Sequence, residues 1–272
     1  ARVTAKRVPF PDRESRGREE DGGRNVLWDG SIGCTMPAGE NAVGITTRKE
    51  WTRVKTIVIV PAYNEEENIR NTLRDLAEHF PEADVLVIND CSRDGTLSIL
   101  RETGVQYLSL PVNLGIGGGV QAGYIFARDH GYDIAIQFDG DGQHRAEYLG
   151  ALTAPLTRDE ADIVIGSRFV EREGFQSTGA RRAGIGILSG MIRLLCGVKV
   201  LDVTSGMRAV NRHYIEKYAE NYAQDYPEPE ALLYAGIRKA RILEIPVRMK
   251  ERAGGKSSIN AIHSVYYMVK VS

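Results

Sequence analysis

From Thr56 onward the chain alternates short β-branched runs with segments of helical spacing, and this alternation limits the fold more than any other feature. Thr56-Ile57-Val58-Ile59-Val60 is a strand-type run that stops at Pro61. Apolar residues then recur at Ile69, Leu73, Leu76, Ala77 and Phe80, which predicts a helix over 65–80. Strand-type runs follow at 85–88, 105–110, 134–138, 163–165 and 242–247. Helical segments are expected at 96–101, 120–128, 147–156, 181–196 and 230–239. Strand and helix at this spacing predict an α/β fold, a mostly parallel sheet flanked by helices on both faces. Such sheets bind ligands beyond the C-terminal ends of their strands.

The unusual polar clusters fall at those ends. Asp139-Gly140-Asp141-Gly142-Gln143-His144 follows the strand at 134–138. Carboxylates at i and i+2 leaving a strand can point the same way. Hard oxygen ligands at this spacing suit Mg²⁺ or Mn²⁺ bound together with substrate phosphates. An acidic turn is the plainer alternative, and an EF-hand is excluded by the positions of the glycine and the distal Glu. Pro61-Ala62-Tyr63-Asn64-Glu65 ends the first strand, where a dinucleotide site would carry GxGxxG. Tyr63 could stack on a base and Glu65 could accept a ribose or base hydrogen bond. Glu66 and Glu67 suit a helix N-terminus. After the second strand, Asp90 is placed to read a base edge, while Asp94 reads as a helix cap. Asn113-Leu114-Gly115-Ile116-Gly117-Gly118-Gly119 follows the third strand. Its glycines could admit a nucleotide to the backbone or serve helix packing.

Composition narrows the class. Lys+Arg 35 against Asp+Glu 36 gives a net charge of −1, without the basic excess of a nucleic-acid binder. No apolar run approaches the roughly 18 residues of a membrane span. The best candidate, Ile185 to Val198, is broken by Arg193. Cys34, Cys91 and Cys196 are far apart, which fits a reducing compartment and argues against a disulfide framework or cysteine zinc site. Gly254-Gly255-Lys256-Ser257 imitates the end of a P-loop, but Lys250 stands where its first glycine belongs. Residues 1–50, crowded with Arg, Glu, Asp and Gly, read as an irregular N-terminal tail. Residues 51–260 carry the α/β pattern, and 261–272 read as a C-terminal amphipathic segment.

PAYNEEENI, VINDCSRDGT, NLGIGGGVQAG, FDGDGQH, GSRF, VTSGMRAVNR, EPEALL and RMKERAGGKSS occur in that order. Together they resemble a family 2 glycosyltransferase of the Rossmann-like GT-A fold. Within it they resemble the dolichyl- and polyprenyl-phosphate sugar synthases and related bacterial polysaccharide transferases. The resemblance covers about residues 54–260. It implies a metal-dependent, inverting transfer of a hexosyl unit from a UDP-, GDP- or dTDP-linked sugar. The acceptor would be a polyprenyl phosphate or a growing saccharide of the cell-surface glycans. Pro61, Tyr63, Glu65, Asp90, Asn113 and Gly115 would hold the donor nucleoside. Asp139, Asp141 and Gln143 would surround the Mg²⁺ or Mn²⁺, with Asp141 central to catalysis. Arg168 and Arg208 would approach phosphates, and Asp202 and Ser205 would sit on the acceptor side. Arg252, Lys256, Ser257 and Ser258 match a loop that covers the donor phosphates.

Many relatives carry an acid pair before the helix that follows the acceptor loop. This chain has Pro227-Glu228-Pro229-Glu230, with Glu228 at the position of the base. A hydroxyl acceptor needs such a base; an anionic lipid phosphate does not. The departure leans the reading toward lipid phosphate. Ile262, Val265, Tyr266, Met268, Val269 and Lys270 suit a membrane interface, so a cytoplasmic enzyme at the inner membrane face is expected. Homo-oligomerisation is open. Two rivals are a nucleotidyltransferase, which would need a basic glycine-rich first loop, and a non-catalytic nucleotide-sugar sensor.

Overall fold

The computed structural model describes residues 54–171, 179–225 and 227–250, with side chains from 182 onward in the second stretch. The expectations for 1–50, Arg252, Lys256, Ser257, Ser258 and 261–272 lie outside the described residues. The chain runs β1 (Thr56–Ala62), α1 (Ile69–His79), β2 (Asp84–Asn89), α2 (Thr96–Thr103), β3 (Gln106–Ser109), α3 (Gly115–Asp129) and β4 (Ile134–Gln137). It continues through α4 (Leu149–Thr157), β5 (Ile163–Ser167), α5 (Gly179–Cys196), β6 (Arg208–Asn211), α6 (Arg212–Glu220), α7 (Pro227–Ile237) and β7 (Ile242–Pro246).

The sheet has the order β3-β2-β1-β4-β6-β5-β7. All pairings are parallel except those of β6, which runs antiparallel to both β4 and β5. The strand order reverses at β1 and β4, so the crevice that this topology offers a ligand opens above their C-terminal ends. Side chains alternate between two buried layers, as period-2 strands require. Ile57, Ile59, Leu86, Ile88 and Ile165 pack under α3, α5, α6 and α7. Val58, Val60, Val87, Ile136 and Val164 pack under α1 and α4.

The glycines 117–119 serve helix packing, as the opening of α3. A Cβ on Gly117 would collide with the Ala223 carbonyl, and one on Gly123 with Ile59. These glycines let α3 lie against the 221–225 segment and against β1. Between 196 and 230, where no strand or helix was expected, the chain forms β6, and α6 follows it immediately. Four residues are too few to show a period, and the first of them is an arginine. Helix α6 is capped by Asn211, whose side chain accepts the Tyr214 N–H at 3.1 Å. That Asn-to-helix signal is present in the sequence. Finally, α7 starts at Pro227, where prolines are tolerated because first-turn N–H groups have no intrahelical partner.

Candidate active site

The two acids leave β4 at the crevice. Gly140 donates its N–H to the Pro61 carbonyl at 3.3 Å, which ties the acidic turn to the end of β1. Gly142 takes a φ of +76°, open to glycine at little cost, and turns the chain back. Asp141 Oδ1 accepts the Gln143 N–H at 3.0 Å. The Gln143 amide nitrogen donates to the Lys250 carbonyl at 3.4 Å, and Lys250 N–H returns to Gln143 O at 2.9 Å. The oxygen of that amide is the group Gln143 could offer a cation.

Asp139 is held from three sides. Its N–H donates to His144 Nδ1 at 3.0 Å, and His144 Nε2 lies 3.5 Å from its Oδ2. An acceptor Nδ1 places the imidazole proton on Nε2, facing the carboxylate. His144 is itself 4% exposed and packs edge-on against Phe138. Gly206 lies so close to the carboxylate that any Cβ there would collide with Asp139 Oδ2. Asp139 Oδ1 is buried and has no hydrogen-bond partner. An orphaned carboxylate oxygen costs free energy unless something cationic or a donor meets it. Among the described residues no three His, Cys, Asp or Glu side chains converge on a metal position. Two aspartates, one amide oxygen and ligand phosphates still form the oxygen-rich, part-ligand set that Mg²⁺ or Mn²⁺ accepts. The residues present therefore fit such an ion.

The β1 and β2 ends form one connected wall. Asn64 N–H donates to Ser92 Oγ at 3.0 Å, and Asn64 Oδ1 accepts the Arg93 N–H at 2.8 Å. Glu65 is buried; its N–H donates to Thr96 Oγ1 at 2.9 Å and its Oε2 accepts from Asn68 at 2.8 Å. Asp90 Oδ1 accepts the Leu114 N–H at 2.7 Å, at the start of α3. Asn113 donates to the Asp90 carbonyl at 3.2 Å and accepts from Gly115 N–H at 3.1 Å. One oxygen of Asp90 thus holds the wall together. Tyr63 stands out from it, 40% exposed. Asp94, one residue ahead of the N-cap Gly95, accepts the Thr96 N–H at 3.0 Å at the start of α2. Burial opposes its charge, yet the Thr96 and Glu66 hydrogen bonds prevail and hold its carboxyl below the usual range.

Both arginines have protein partners. Arg168 Nε and Nη2 each reach an Asp202 oxygen at 2.7 Å, Nη2 also donates to Thr204, and Asp202 is fully buried. Its fork is engaged by the protein rather than extended toward phosphates. Arg208 is wholly buried. It donates to Ser205 O at 2.7 Å and Glu228 O at 3.1 Å, beneath Tyr124, Tyr218 and Tyr222. Glu228 joins the site from α7. Desolvation, with the Asp139 charge adding to it, raises its carboxyl above the usual value against the pull of Arg208. His144, Gly206 and Gln137 carry roles that the sequence reading did not assign. Gln137 pairs across the sheet with Arg208 and accepts from Tyr222 at 3.2 Å. Only His144 had a sequence signal, its place in the acidic motif.

A sheet of this order with paired acids above its switch point suits an α/β enzyme that handles a phosphate-bearing ligand. The chain belongs to glycosyl transferase family 2, whose family model matches residues 57–219. It is 30% identical to the undecaprenyl-phosphate mannosyltransferase of Micrococcus luteus, over 76% of this chain and 88% of that one. It is also 30% identical to the UDP-N-acetylglucosamine–dolichyl-phosphate N-acetylglucosaminyltransferase of Methanococcus voltae, over 70% and 84%. Glucosyl-3-phosphoglycerate synthase from Mycobacterium tuberculosis shares the fold, with a TM-score of 0.63 at 19% identity over 80% of this chain and 77% of that one. The same enzyme with Mn²⁺ and UDP-glucose aligns at 0.58 and 18%, over 75% and 73%. The chain is a glycosyltransferase, and the nucleotidyltransferase and sensor alternatives fall.

Proposed function

We propose that this glycosyltransferase moves a hexosyl unit from a nucleoside diphosphate sugar to a polyprenyl phosphate, with inversion and with Mg²⁺ or Mn²⁺, at the inner face of a membrane. The buried, unpartnered Oδ1 of Asp139 at the switch point carries the reading. The lipid-phosphate acceptors named for the Micrococcus and Methanococcus relatives support its acceptor half. Asp139, Asp141 and the Gln143 amide oxygen would hold the ion. When bound it neutralises charge developing on the departing diphosphate.

The protein's own groups do the rest. Tyr63 gives the base an aromatic face. Pro61, Glu65, Asp90, Asn113 and Gly115 form the wall beside the nucleoside. His144 and Gly206 fix the Asp139 carboxylate. The acceptor oxygen attacks the anomeric carbon opposite the diphosphate; the new C–O bond forms as the old one breaks, and its electron pair leaves with the nucleoside diphosphate. A phosphate acceptor arrives anionic, so no base removes a proton.

A second reading, a hydroxyl acceptor, is favoured by one observation: Glu228 enters the site with its carboxyl held above the usual range beside Asp139. Transfer assays with a short-chain polyprenyl phosphate and with simple sugars, in Mn²⁺ and in EDTA, separate the two. Turnover of the lipid phosphate that EDTA abolishes is the expected result. Turnover of sugars alone overturns the acceptor half, and full activity in EDTA the metal half. A thermal-shift series with UDP-, GDP- and dTDP-sugars identifies the donor.

A further inference from the structure

The order of the strands orders the ligand. The nucleoside wall stands at the ends of β1 and β2, and the paired acids follow β4. A nucleoside diphosphate sugar laid along that line continues past β4 to its other neighbour, β6. There Arg208 Nη1, on β6, donates to the Glu228 carbonyl at 3.1 Å, in the first turn of α7. The hexosyl end of such a donor therefore falls beside that turn.

The turn is unsuited to phosphate. A helix N-terminus ordinarily offers free N–H groups to an anion. Pro227 and Pro229, the first and third residues of α7, have no N–H to offer. Glu228 and the exposed Glu230 add negative charge to the same turn. Arg208, the cation beneath them, is wholly buried and directs its donors to the Ser205 and Glu228 carbonyls. On the other flank of the acids stands Lys250, exposed and bonded through its main chain to Gln143. A diphosphate suits the Lys250 flank, and a neutral polyol suits the α7 flank.

Glu228 is the group placed to meet that polyol. It is half-buried, and Gln137, the last residue of β4, is wholly buried beside it. Gln137 Oε1 accepts the Tyr222 hydroxyl at 3.2 Å, which leaves its buried amide nitrogen facing the Glu228 carboxyl and bonded to no other group. A carboxylate steadied by an amide on one oxygen keeps the other for hydroxyl donors. We infer, on the basis of the donor proposed above, that Glu228 is a specificity-determining residue that accepts a hydroxyl of the transferred hexose, and that Gln137 is its positioning residue. Glu228 then has a task even with a phosphate acceptor, which needs no base.

Full-length protein is titrated calorimetrically in Mn²⁺ with UDP, GDP and dTDP and with UDP-glucose, GDP-mannose and dTDP-glucose. Glu228→Ala should weaken the hexose-bearing ligand on the order of tenfold, the scale of a hydrogen bond to a charged group, and leave the matching free diphosphate within about twofold. Glu228→Gln keeps an acceptor oxygen and should lose only a few-fold. Gln137→Met should act in the same direction as Glu228→Ala and add nothing to it in the double variant. Among donors epimeric or deoxy at a single hexose carbon, one should bind the wild type and Glu228→Ala alike, which names the hydroxyl. An unchanged melting temperature verifies folding, and Glu228→Leu, which refills the volume, serves if Glu228→Ala melts early. Equal losses for free diphosphate and hexose donor in a folded variant overturn the inference and place Glu228 on the phosphate side. Unchanged donor binding with a fall in kcat overturns it in favour of a base. A wild type that binds none of these ligands overturns the nucleotide-sugar donor itself, and the inference with it.

Discussion

Arg168 and Asp202 form a two-pronged ion pair 34 residues apart in sequence, with both prongs at 2.7 Å and the aspartate fully buried. The pair fastens the end of β5 to the segment that delivers Gly206 to Asp139. Arg168→Ala leaves a buried carboxylate without its cation and should cost about 3–5 kcal/mol in denaturant unfolding. Adding Asp202→Ala should recover part of that loss. If the double variant is no more stable than the single one, the cost lies in packing rather than in the stranded charge.

Asp139→Asn and Asp141→Asn should abolish transfer and remove the Mn²⁺ dependence of donor binding in calorimetry. The orphaned oxygen gives Asp139 a further signature. Asp139→Asn should remove the Mn²⁺-induced rise in melting temperature. A variant that keeps the full Mn²⁺ shift would remove the metal from this site.

His144 makes two contacts with Asp139 that two substitutions can divide. His144→Asn keeps an acceptor near Nδ1, and His144→Gln keeps a donor near Nε2. Loss of a group that orients a metal-binding carboxylate typically costs 10–100-fold in affinity. The Gln variant should hold Mn²⁺ more tightly than the Asn variant if Nε2 orients the carboxylate, as followed by electron paramagnetic resonance titration. Equal wild-type affinity in both would leave His144 a packing residue.

Glu228 predicts an inverted pH dependence. Its folded carboxyl lies above the usual value, chiefly through desolvation, so the folded state binds its proton more readily than the unfolded chain. Stability from this group is therefore present in acid and lost as pH rises from the ordinary carboxylate range through the raised value. Glu228→Gln should stabilise the protein at neutral pH, and the gain should vanish below the ordinary range. On a lipid-phosphate acceptor the same variant should keep kcat within a few-fold; on a hydroxyl acceptor it should lose roughly 10²–10⁴. A melting temperature that falls at neutral pH would mean that Glu228 is needed there as the partner of Arg208.

The alternation of Val- and Ile-rich runs with Leu-bearing helical segments made the parallel part of the sheet readable from sequence. Strand β6 was not readable, because Arg208-Ala209-Val210-Asn211 opens with a charge that only a tyrosine-lined interior explains. Asp139 and Asp141 stood out because acids two positions apart at a strand end can face one ligand. The protein partners of Arg168 and Arg208 were not readable. A guanidinium suits phosphate and buried carboxylate equally, and the choice depends on partners such as Asp202, which lie far away along the chain. Gly206 gave no signal, since its demand for space is set by a carboxylate 67 positions earlier.

The antiparallel insertion of β6 also fixes when the site can exist during synthesis. The strands β1 to β4 come from the first part of the pattern and pair with one another in parallel. Strand β5 has no neighbour among them; its partners are β6 and β7, both made later, and it joins the others through β6. A nascent chain that has emerged through β5 therefore carries both acids but no wall behind Asp139, and its β4 edge is open to stray pairing. Closure of that edge and completion of the carboxylate's cradle are one event, since only Met207 separates Gly206 from the first residue of β6. A ribosome stalled before Arg208 would present half a sheet and no enzyme.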